Sequence, residues 1–342
     1  MFRKILPIVV LLIFSAACAP AGSTSRQTQT STPILWTPEV AAPITPSATV
    51  PSPSATHTSS PVSSPTTAAA TETATVAASP TSDATQTEEP TLNSENGPAI
   101  TADHTVLDQF DQIPDDYIRQ AASLRLMFRG SSIAHNINMG LDCLEGNFPN
   151  RRPNSCSDFY NLKYDRSNWD FPVRGNPGWI DKVNDFVDLV NQNADQYDVF
   201  MFLVDYADGI DNASYPKISD PDNFQTLFVD KIEALQAEHP DKLIIWTTMS
   251  MARTGFDNET SFNQMLRAYA AEHNKILFDL ADIESHSPDG QPQTDGQGRE
   301  ILYSGYTNEA QSGHLNEVGQ ERVARSLWWF MARLAGWEGV QP

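Results

Sequence analysis

Positive charge is scarce in this chain of 342 residues, which has 22 Lys and Arg against 43 Asp and Glu and a formal net charge of −21. Outside residues 1–4 there is no run of basic side chains. A protein that binds nucleic acid needs such cations to neutralise phosphates. The composition therefore argues against nucleic acid as a partner, and most carboxylates are expected on solvated helix faces.

Cysteine is also scarce, with three in the chain. Cys18 ends an apolar N-terminal segment, whereas Cys143 and Cys156 flank a short polar loop. In an exported protein the latter two are expected to form a disulfide, which contributes about 3 kcal/mol to stability when it closes a loop of this length. Two free thiols are the alternative that the sequence leaves open.

The N-terminus has the layout of an export signal. Residues 1–4 are basic, residues 5–14 are apolar but too few to span a bilayer comfortably, and Ser15-Ala-Ala-Cys18 follows. This arrangement resembles a bacterial lipoprotein signal, in which cleavage before the cysteine leaves Cys18 to carry the lipid. Ser15 stands where such signals usually have leucine, so a plain secretory signal and an uncleaved anchor are the alternatives.

Residues 19–101 are rich in Ser, Thr, Pro and Ala and nearly lack aromatic side chains. Such a segment buries too little apolar area to offset the entropy cost of ordering. We therefore predict a signal peptide at 1–18, a disordered stalk at 19–101 and a folded domain at 102–342. The stalk is expected to space the domain from the outer face of the cell membrane, with the lipid as the membrane contact.

Apolar strands alternate with amphipathic helices in the predicted domain. Helices are predicted at 106–122, 179–193, 221–238, 260–272 and 316–334, and strands at 124–128, 169–173, 199–204, 243–248 and 276–280. Continuous apolar strands such as 199–204 are typical of a parallel sheet that is covered on both faces. The pattern predicts a three-layer α/β/α sandwich with a mainly parallel sheet of about five strands.

Four loops that follow predicted strands, or precede the last helix, carry candidate site residues: Gly130-Ser-Ser132, Arg174-Gly-Asn-Pro-Gly178, Asp205-Tyr-Ala-Asp208 and Gly313-His314. Ligands bind at the carboxyl ends of the strands in open α/β sheets, so these loops are expected to meet above one edge of the sheet. A serine and a histidine brought together there can act as a nucleophile and its base.

In this order the loops resemble the blocks of the SGNH, or GDSL, hydrolase superfamily, from residue 124 to the last helix. Phe128-Arg-Gly-Ser-Ser-Ile133 is similar to the first block, which implies Ser132 as the nucleophile. Gly313-His-Leu-Asn316 is similar to the last block, which implies His314 as the base. The resemblance also implies a flavodoxin-like fold and no cofactor.

The second and third blocks of the family supply oxyanion donors. Arg174-Gly-Asn-Pro-Gly-Trp179 implies the amide of Gly175 as one donor, with Gly178 as a less favoured choice. In the third block Ala207 stands where the family has a donating asparagine. The expected oxyanion hole therefore consists of the Ser132 and Gly175 amides.

The family usually places an aspartate three residues before the histidine, where this chain has Gln311. A glutamine can orient an imidazole but cannot stabilise imidazolium by charge, and loss of an orienting carboxylate costs several orders of magnitude in rate. Glu309 is near enough in sequence to substitute. Gln311, Glu309 and a backbone carbonyl are the alternative orienting groups.

Other polar side chains of these loops are candidate substrate contacts: Arg174, Asp205, Tyr206 and Asp208. Trp169 and Trp179 could stack on a sugar ring, although core packing is the commoner role of a tryptophan. His104, His239, His273 and His286 lack partners at the spacing of metal ligands, so no metal site is expected.

The resemblance implies ester hydrolysis through an acyl-enzyme, and export favours an acetyl ester of a carbohydrate, or another small ester, as substrate. Two alternatives are a catalytically impaired glycan-binding surface lipoprotein and an O-acetyltransferase. The impaired protein predicts that Ser132 and His314 do not meet. The two enzymes predict an approach of Ser132 Oγ to the His314 ring within about 5 Å. No oligomeric state is predicted.

Overall fold

The computed structural model describes residues 99–148, 151–157, 159–210 and 215–340. The predicted signal peptide with Cys18, and nearly all of the predicted stalk, lie outside the described residues. Residues 99–101, which the sequence analysis assigned to the stalk, belong to the folded part, because Ile100 is buried and a strand begins at Thr101. No helix in the described ranges is long and apolar enough to cross a membrane.

A six-stranded sheet forms the centre of the molecule. The strands are β1 (Thr101–Ala102), β2 (Leu126–Arg129), β3 (Trp169–Asp170), β4 (Val199–Phe202), β5 (Leu243–Thr247) and β6 (Leu277–Phe278). They lie in the order β1-β6-β5-β4-β2-β3, and every pairing is parallel. The predicted parallel α/β fold is confirmed, with six strands in place of about five. β1 escaped prediction because two residues carry no periodicity.

Helices lie between successive strands, and two more, α7 and α8, follow β6. They are α1 (Asp115–Ser123), α2 (Ser132–Glu145), α3 (Trp179–Asn193), α4 (Pro221–Asn223), α5 (Asp230–Glu238), α6 (Asp257–Glu272), α7 (Leu280–Ser285) and α8 (Glu317–Leu334). A π-helical segment, Phe224–Val229, joins α4 to α5, so the predicted helix at 221–238 runs without interruption. Asp220 caps α4, and its side chain accepts hydrogen bonds from the amides of Asp222 and Asn223.

The helix predicted at 106–122 is wrong in one respect, because proline divides it. A 3-10 helix covers His104–Gln112, and α1 begins after Pro114. Proline disfavours helical backbone at the residue before it, and Ile113 is indeed extended, with φ −64° and ψ 120°. Apolar residues keep helical spacing on both sides of Pro114, so the spacing alone did not reveal where the helix is divided.

The sheet separates two apolar clusters. Successive side chains of a strand point to opposite faces, so Val199 and Met201 belong to one cluster and Phe200 and Phe202 to the other. Helices α1, α2, α7 and α8 cover the first face, and α3, α5 and α6 cover the second. This arrangement is the expected three-layer sandwich.

Helices α2 and α8 pack closely across the first face, and the two helices carry or flank the candidate site. A Cβ atom added at Gly140 of α2 would lie 2.1 Å from the backbone oxygen of Gln320 in α8, so only glycine permits this approach. Asn316 caps α8 by accepting hydrogen bonds from the amides of Val318 and Gly319.

The end of α2 is tied to the loop that follows it by a disulfide between Cys143 and Cys156, as expected from the sequence. Ser155, in the same loop, donates a hydrogen bond of 2.5 Å to Glu317 at the start of α8. The loop therefore bridges the ends of α2 and α8.

Candidate active site

Ser132 is placed by the turn between β2 and α2. Gly130 pairs with Val173 beyond the end of β2, Ser131 occupies the N-cap position of α2 without a side-chain capping bond, and Ser132 is the first residue of the helix. A Cβ atom on Gly130 would lie 2.5 Å from that of Ala134, so the sharp turn requires glycine. Ser132 is solvent-exposed, and its amide is among those at a helix N-terminus that have no partner within the helix.

His314 reaches Ser132 from a loop 182 residues later in the chain, immediately before α8. Its Nε2 atom lies 3.0 Å from Ser132 Oγ, within hydrogen-bond distance. The two side chains therefore meet, as both enzyme hypotheses require and the impaired-protein hypothesis does not.

Glu309 holds the other side of the imidazole. Its Oε1 atom lies 2.9 Å from His314 Nδ1, and its Oε2 atom accepts a hydrogen bond of 3.1 Å from the His314 amide. Thr307 braces the pair, because its hydroxyl donates to the His314 carbonyl at 2.6 Å and accepts from the Glu309 amide at 3.0 Å. Of the alternative orienting groups, Glu309 is the one that lies beside the ring.

Gln311 faces a different segment of the chain. Its backbone carbonyl accepts a hydrogen bond of 3.1 Å from the Thr254 amide, next to a bond of 3.0 Å from the Arg253 amide to the Ser312 carbonyl. The segment from 311 to 312 is thus paired with 253–254. This pairing fixes the loop that leads into His314.

Tyr206 packs against the imidazole from the third loop. The two rings meet edge to face with centroids 5.8 Å apart, and burial raises the pKa of the tyrosine. A Cβ atom at Gly313 would lie 2.6 Å from the Tyr206 ring and 2.4 Å from the Met251 carbonyl. Gly313 therefore allows the tyrosine to sit directly beside the histidine loop.

The second loop lies alongside the serine turn. The Arg174 amide donates a hydrogen bond of 2.9 Å to the Gly130 carbonyl, so the loop that carries Gly175 begins beside the turn that carries Ser132. Gly175 is exposed, and a Cβ atom there would meet nothing within 4 Å. Gly178, the less favoured oxyanion candidate, instead caps α3 and lies under the Tyr215 ring.

Asp205 and Asp208 are not substrate contacts in this structure, which corrects the sequence analysis. Lys182 of α3 donates hydrogen bonds of 2.9 Å to Asp205 and 2.5 Å to Asp208, and the three side chains are 3–7% exposed. Burial raises the pKa of Asp208 despite the neighbouring ammonium. Both carboxylates are ion-paired with the same buried lysine. They also cap the 3-10 turn Tyr206–Gly209.

Arg174 forms an ion pair with Asp185 of α3, but its side chain is 37% exposed, so it stays a predicted substrate contact. The two tryptophans considered for sugar stacking are core residues, since Trp169 is 6% and Trp179 is 1% exposed. Trp179 does contribute to the wall of a cleft of about 220 Å³ that lies between the second and third loops and is also lined by Asn176 and Ala207.

Several supporting residues were missed by sequence reasoning. Lys182 lies in a predicted helix and belongs to no motif. Thr307 lies outside the four loops that resemble the family's blocks. Asn136, one turn into α2, accepts a hydrogen bond of 3.0 Å from the Leu315 amide and so holds the histidine loop against the serine helix. Lys182 and Asn136 act through contacts with residues distant in sequence, for which local spacing gives no signal. Thr307 contacts residues two and seven positions away, but no repeat or motif marks it.

Comparisons with known proteins give the following similarities. No protein-family model matches the sequence, and no curated protein matches it. One similar solved structure, from Desulfitobacterium hafniense DCB-2, is described as a lipolytic protein of the G-D-S-L family; it has a TM-score of 0.38 and 13% identity, with 61% of this chain and 99% of that chain covered. Another is the acetyl xylan esterase AlAXEase, with a TM-score of 0.37, 18% identity, and 59% of this chain and 97% of that chain covered.

Proposed function

We propose that the chain is a serine ester hydrolase with an SGNH-type site, in which Ser132 is the nucleophile, His314 the base and Glu309 the orienting acid. One observation carries the proposal. A continuous chain of hydrogen bonds runs from Ser132 Oγ to His314 Nε2 at 3.0 Å and from His314 Nδ1 to Glu309 at 2.9 Å. A nucleophile, a base and a third group that orients the base are the parts needed for acyl transfer.

The reaction proceeds in two halves. Ser132 Oγ attacks the ester carbonyl while His314 Nε2 takes the hydroxyl proton, and the imidazolium then gives this proton to the departing alcohol. The product is an acyl ester on Ser132. Water, deprotonated by His314, attacks that ester, and return of the proton to Ser132 Oγ releases the carboxylic acid. Glu309 stabilises the imidazolium formed in each half.

Backbone amides are the proposed oxyanion donors. The Ser132 amide lies at the N-terminus of α2, where free N–H groups and the helix dipole favour negative charge. The Gly175 amide is the second donor, from the loop that pairs with Gly130. With Ala207 in place of the family's asparagine, no side-chain donor from the third loop is part of this hole.

The proposed substrate is an acetyl ester of a carbohydrate outside the cell, with the protein held at the membrane by a lipid on Cys18. The N-terminal sequence supports the location. The exposure of Ser132, together with side-chain exposures of 41% for His314 and 37% for Glu309, supports a substrate whose alcohol part is bulky. The contact between Ser132 and His314 argues against the impaired glycan-binding alternative.

The test is hydrolysis of p-nitrophenyl acetate and of acetylated polysaccharide by the purified protein, beside Ser132→Ala and the control Ser131→Ala. Loss of the nucleophile is expected to reduce kcat by at least about a thousandfold. Ser131→Ala removes the neighbouring buried hydroxyl and should retain most of the activity. A wild-type protein inactive on both substrates, or equal activity in the two variants, would contradict the proposal. Transfer of acetyl to an added sugar in preference to water would favour the O-acetyltransferase.

A further inference from the structure

Two histidines and an aspartate meet at a place that shares no residue with the Ser132 site. His104 Nδ1 lies 2.5 Å from Asp282 Oδ1, and His286 Nδ1 lies 3.4 Å from Asp282 Oδ2. One potential ligand atom from each side chain lies within 4.8 Å of the other two. The side chains are 13–24% exposed, so the group is enclosed but accessible to small solutes.

The sheet topology assembles this group. β1 and β6 are parallel neighbours, His104 begins the 3-10 helix after β1, and Asp282 lies in α7 directly after β6. Asp282 and His286 are four residues apart, which places them on one side of a helical turn. His104 lies 178 residues from Asp282, so the spacing of histidines in the sequence gave no metal-binding motif.

We propose that His104, Asp282 and His286 bind a divalent transition-metal ion of the class of Zn²⁺. Two imidazoles and one carboxylate are donors typical of zinc and related ions, whereas Ca²⁺ and Mg²⁺ favour oxygen ligands throughout. Three protein ligands leave a coordination position for water. The proposal departs from the sequence-based expectation of no metal site.

Asp282 Oδ1 accepts a hydrogen bond of 2.8 Å from the His104 amide and also lies 2.5 Å from His104 Nδ1, which leaves Oδ2 as the oxygen available to an added cation. Within the part of the chain that the structure describes, the ion pairs of Asp282 are with His104 and His286 and not with Lys or Arg. Arg322 approaches from α8, but its Nε atom donates to the Ile283 carbonyl at 2.9 Å and its guanidinium lies over the Tyr306 ring. The carboxylate therefore has two imidazoles as neighbours, and imidazole nitrogen is itself a common metal ligand.

Binding has a defined structural consequence. The His104 and His286 rings are stacked, with centroids 3.7 Å apart and planes 6° from parallel. A ring nitrogen binds a metal through the lone pair in its own plane, so coordination by both rings requires one of them to turn about its Cβ–Cγ bond.

The experiment is calorimetric titration of EDTA-treated protein with ZnCl₂, with Co²⁺ absorption as a spectroscopic check of coordination. One saturable site is expected in the wild type. Asp282→Asn and His286→Ala should each weaken Zn²⁺ binding at least about tenfold, a loss that even outer-sphere partners of a bound histidine cause. The His286 variant keeps the main-chain carbonyl that Tyr306 binds.

His239→Ala is the matched control, since His239 is bonded to Asn191 and lies outside the cluster. It should leave the affinity unchanged, and so should Ser132→Ala, which separates this site from the proposed esterase. An imidazole ¹⁵N NMR spectrum of the wild type, in which Zn²⁺ shifts the His104 and His286 signals alone, needs no variant. Absence of saturable binding, or equal affinity in the cluster variants and His239→Ala, would overturn the proposal.

Discussion

The Nδ1 atom of His314 lies 2.9 Å from Oε1 of Glu309, five residues earlier in the chain. The second oxygen of the same carboxylate accepts the His314 amide, so one side chain fixes both the ring and the backbone of the histidine. Glu309 therefore lies beside the imidazole, where the family resemblance implied the side chain of residue 311. The acid partner reaches the ring because Thr307 holds the intervening turn closed.

Replacing Glu309 by Gln should lower kcat for p-nitrophenyl acetate by about two to four orders of magnitude. The amide retains the shape of the carboxylate but cannot stabilise the imidazolium by charge. KM should change little, because Glu309 does not lie at the serine. Gln311→Ala is the control and should retain activity. Equal losses in the two variants would argue that the turn, and not the charge, supports catalysis.

Replacing Lys182 by Met should destabilise the fold by about 3–5 kcal/mol, the usual cost of leaving a buried charge without its partner. Asp205 and Asp208 would then be two carboxylates close together in a buried turn. Urea unfolding at neutral pH measures the loss. Lys231→Met is the control, since Lys231 bonds the exposed Asn184 side chain, and its loss should be much smaller. Similar free energies of unfolding in the Lys182 and Lys231 variants would contradict the stabilising role of the buried Lys182 ion pairs.

Glu284 should make the protein less stable as the pH rises. It is fully buried, its Oε2 accepts the Met251 amide at 2.6 Å, and burial raises its pKa well above the usual range. The folded state therefore binds this proton more tightly than the unfolded state. The contribution of Glu284 to stability is greatest below its unfolded pKa of about 4.3 and falls by up to about 1.4 kcal/mol per pH unit until the folded pKa is reached.

Glu284→Gln, a mimic of the protonated acid, should flatten that decline and raise stability relative to the wild type at alkaline pH. Urea unfolding between pH 5 and 9 gives the two slopes. Glu238→Gln, on an exposed helix end, is the control and should follow the wild-type curve. Parallel curves for wild type and Glu284→Gln would show that the buried carboxyl is already ionised.

Gly140→Ala should destabilise the protein by about 1–3 kcal/mol, although alanine is the better helix former. The added methyl would lie 2.1 Å from the Gln320 carbonyl and 3.1 Å from the Ala324 methyl, so α2 and α8 must separate. Thermal unfolding measures the effect. Gly296→Ala is the matched control, because its Cβ would meet nothing within 4 Å. A Gly140→Ala variant more stable than the wild type would show that α2 and α8 can separate without loss of stability.

The sequence predicted the elements whose patterns are local. The apolar strand at 199–204 and the helix at 179–193 were recognised because their periodicity is complete within the element. Pro114 divided a helix whose apolar spacing continued across it. β1 and α7 were missed because two and six residues are too few for a period to be visible.

Candidate site residues could be predicted where a short local motif marks the residue, as for Ser132 and His314. The choice between Gln311 and Glu309 depended on how the turn folds, and sequence spacing alone did not decide it. Asp205 and Asp208 were misread as substrate contacts because their partner, Lys182, comes from a helix whose register on the sheet is not visible in the sequence. The proposed metal cluster was invisible for the same reason.

The pairing of β1 with β6 also constrains how the chain acquires its structure during synthesis. Thr101 pairs with Leu277, so β1, the first strand in the described ranges, must wait for more than half the chain before its neighbour in the sheet is present. Contacts of such sequence separation slow folding, and the histidine that meets Ser132 emerges later still. An incomplete or C-terminally truncated chain therefore carries Ser132 without the histidine proposed as its base.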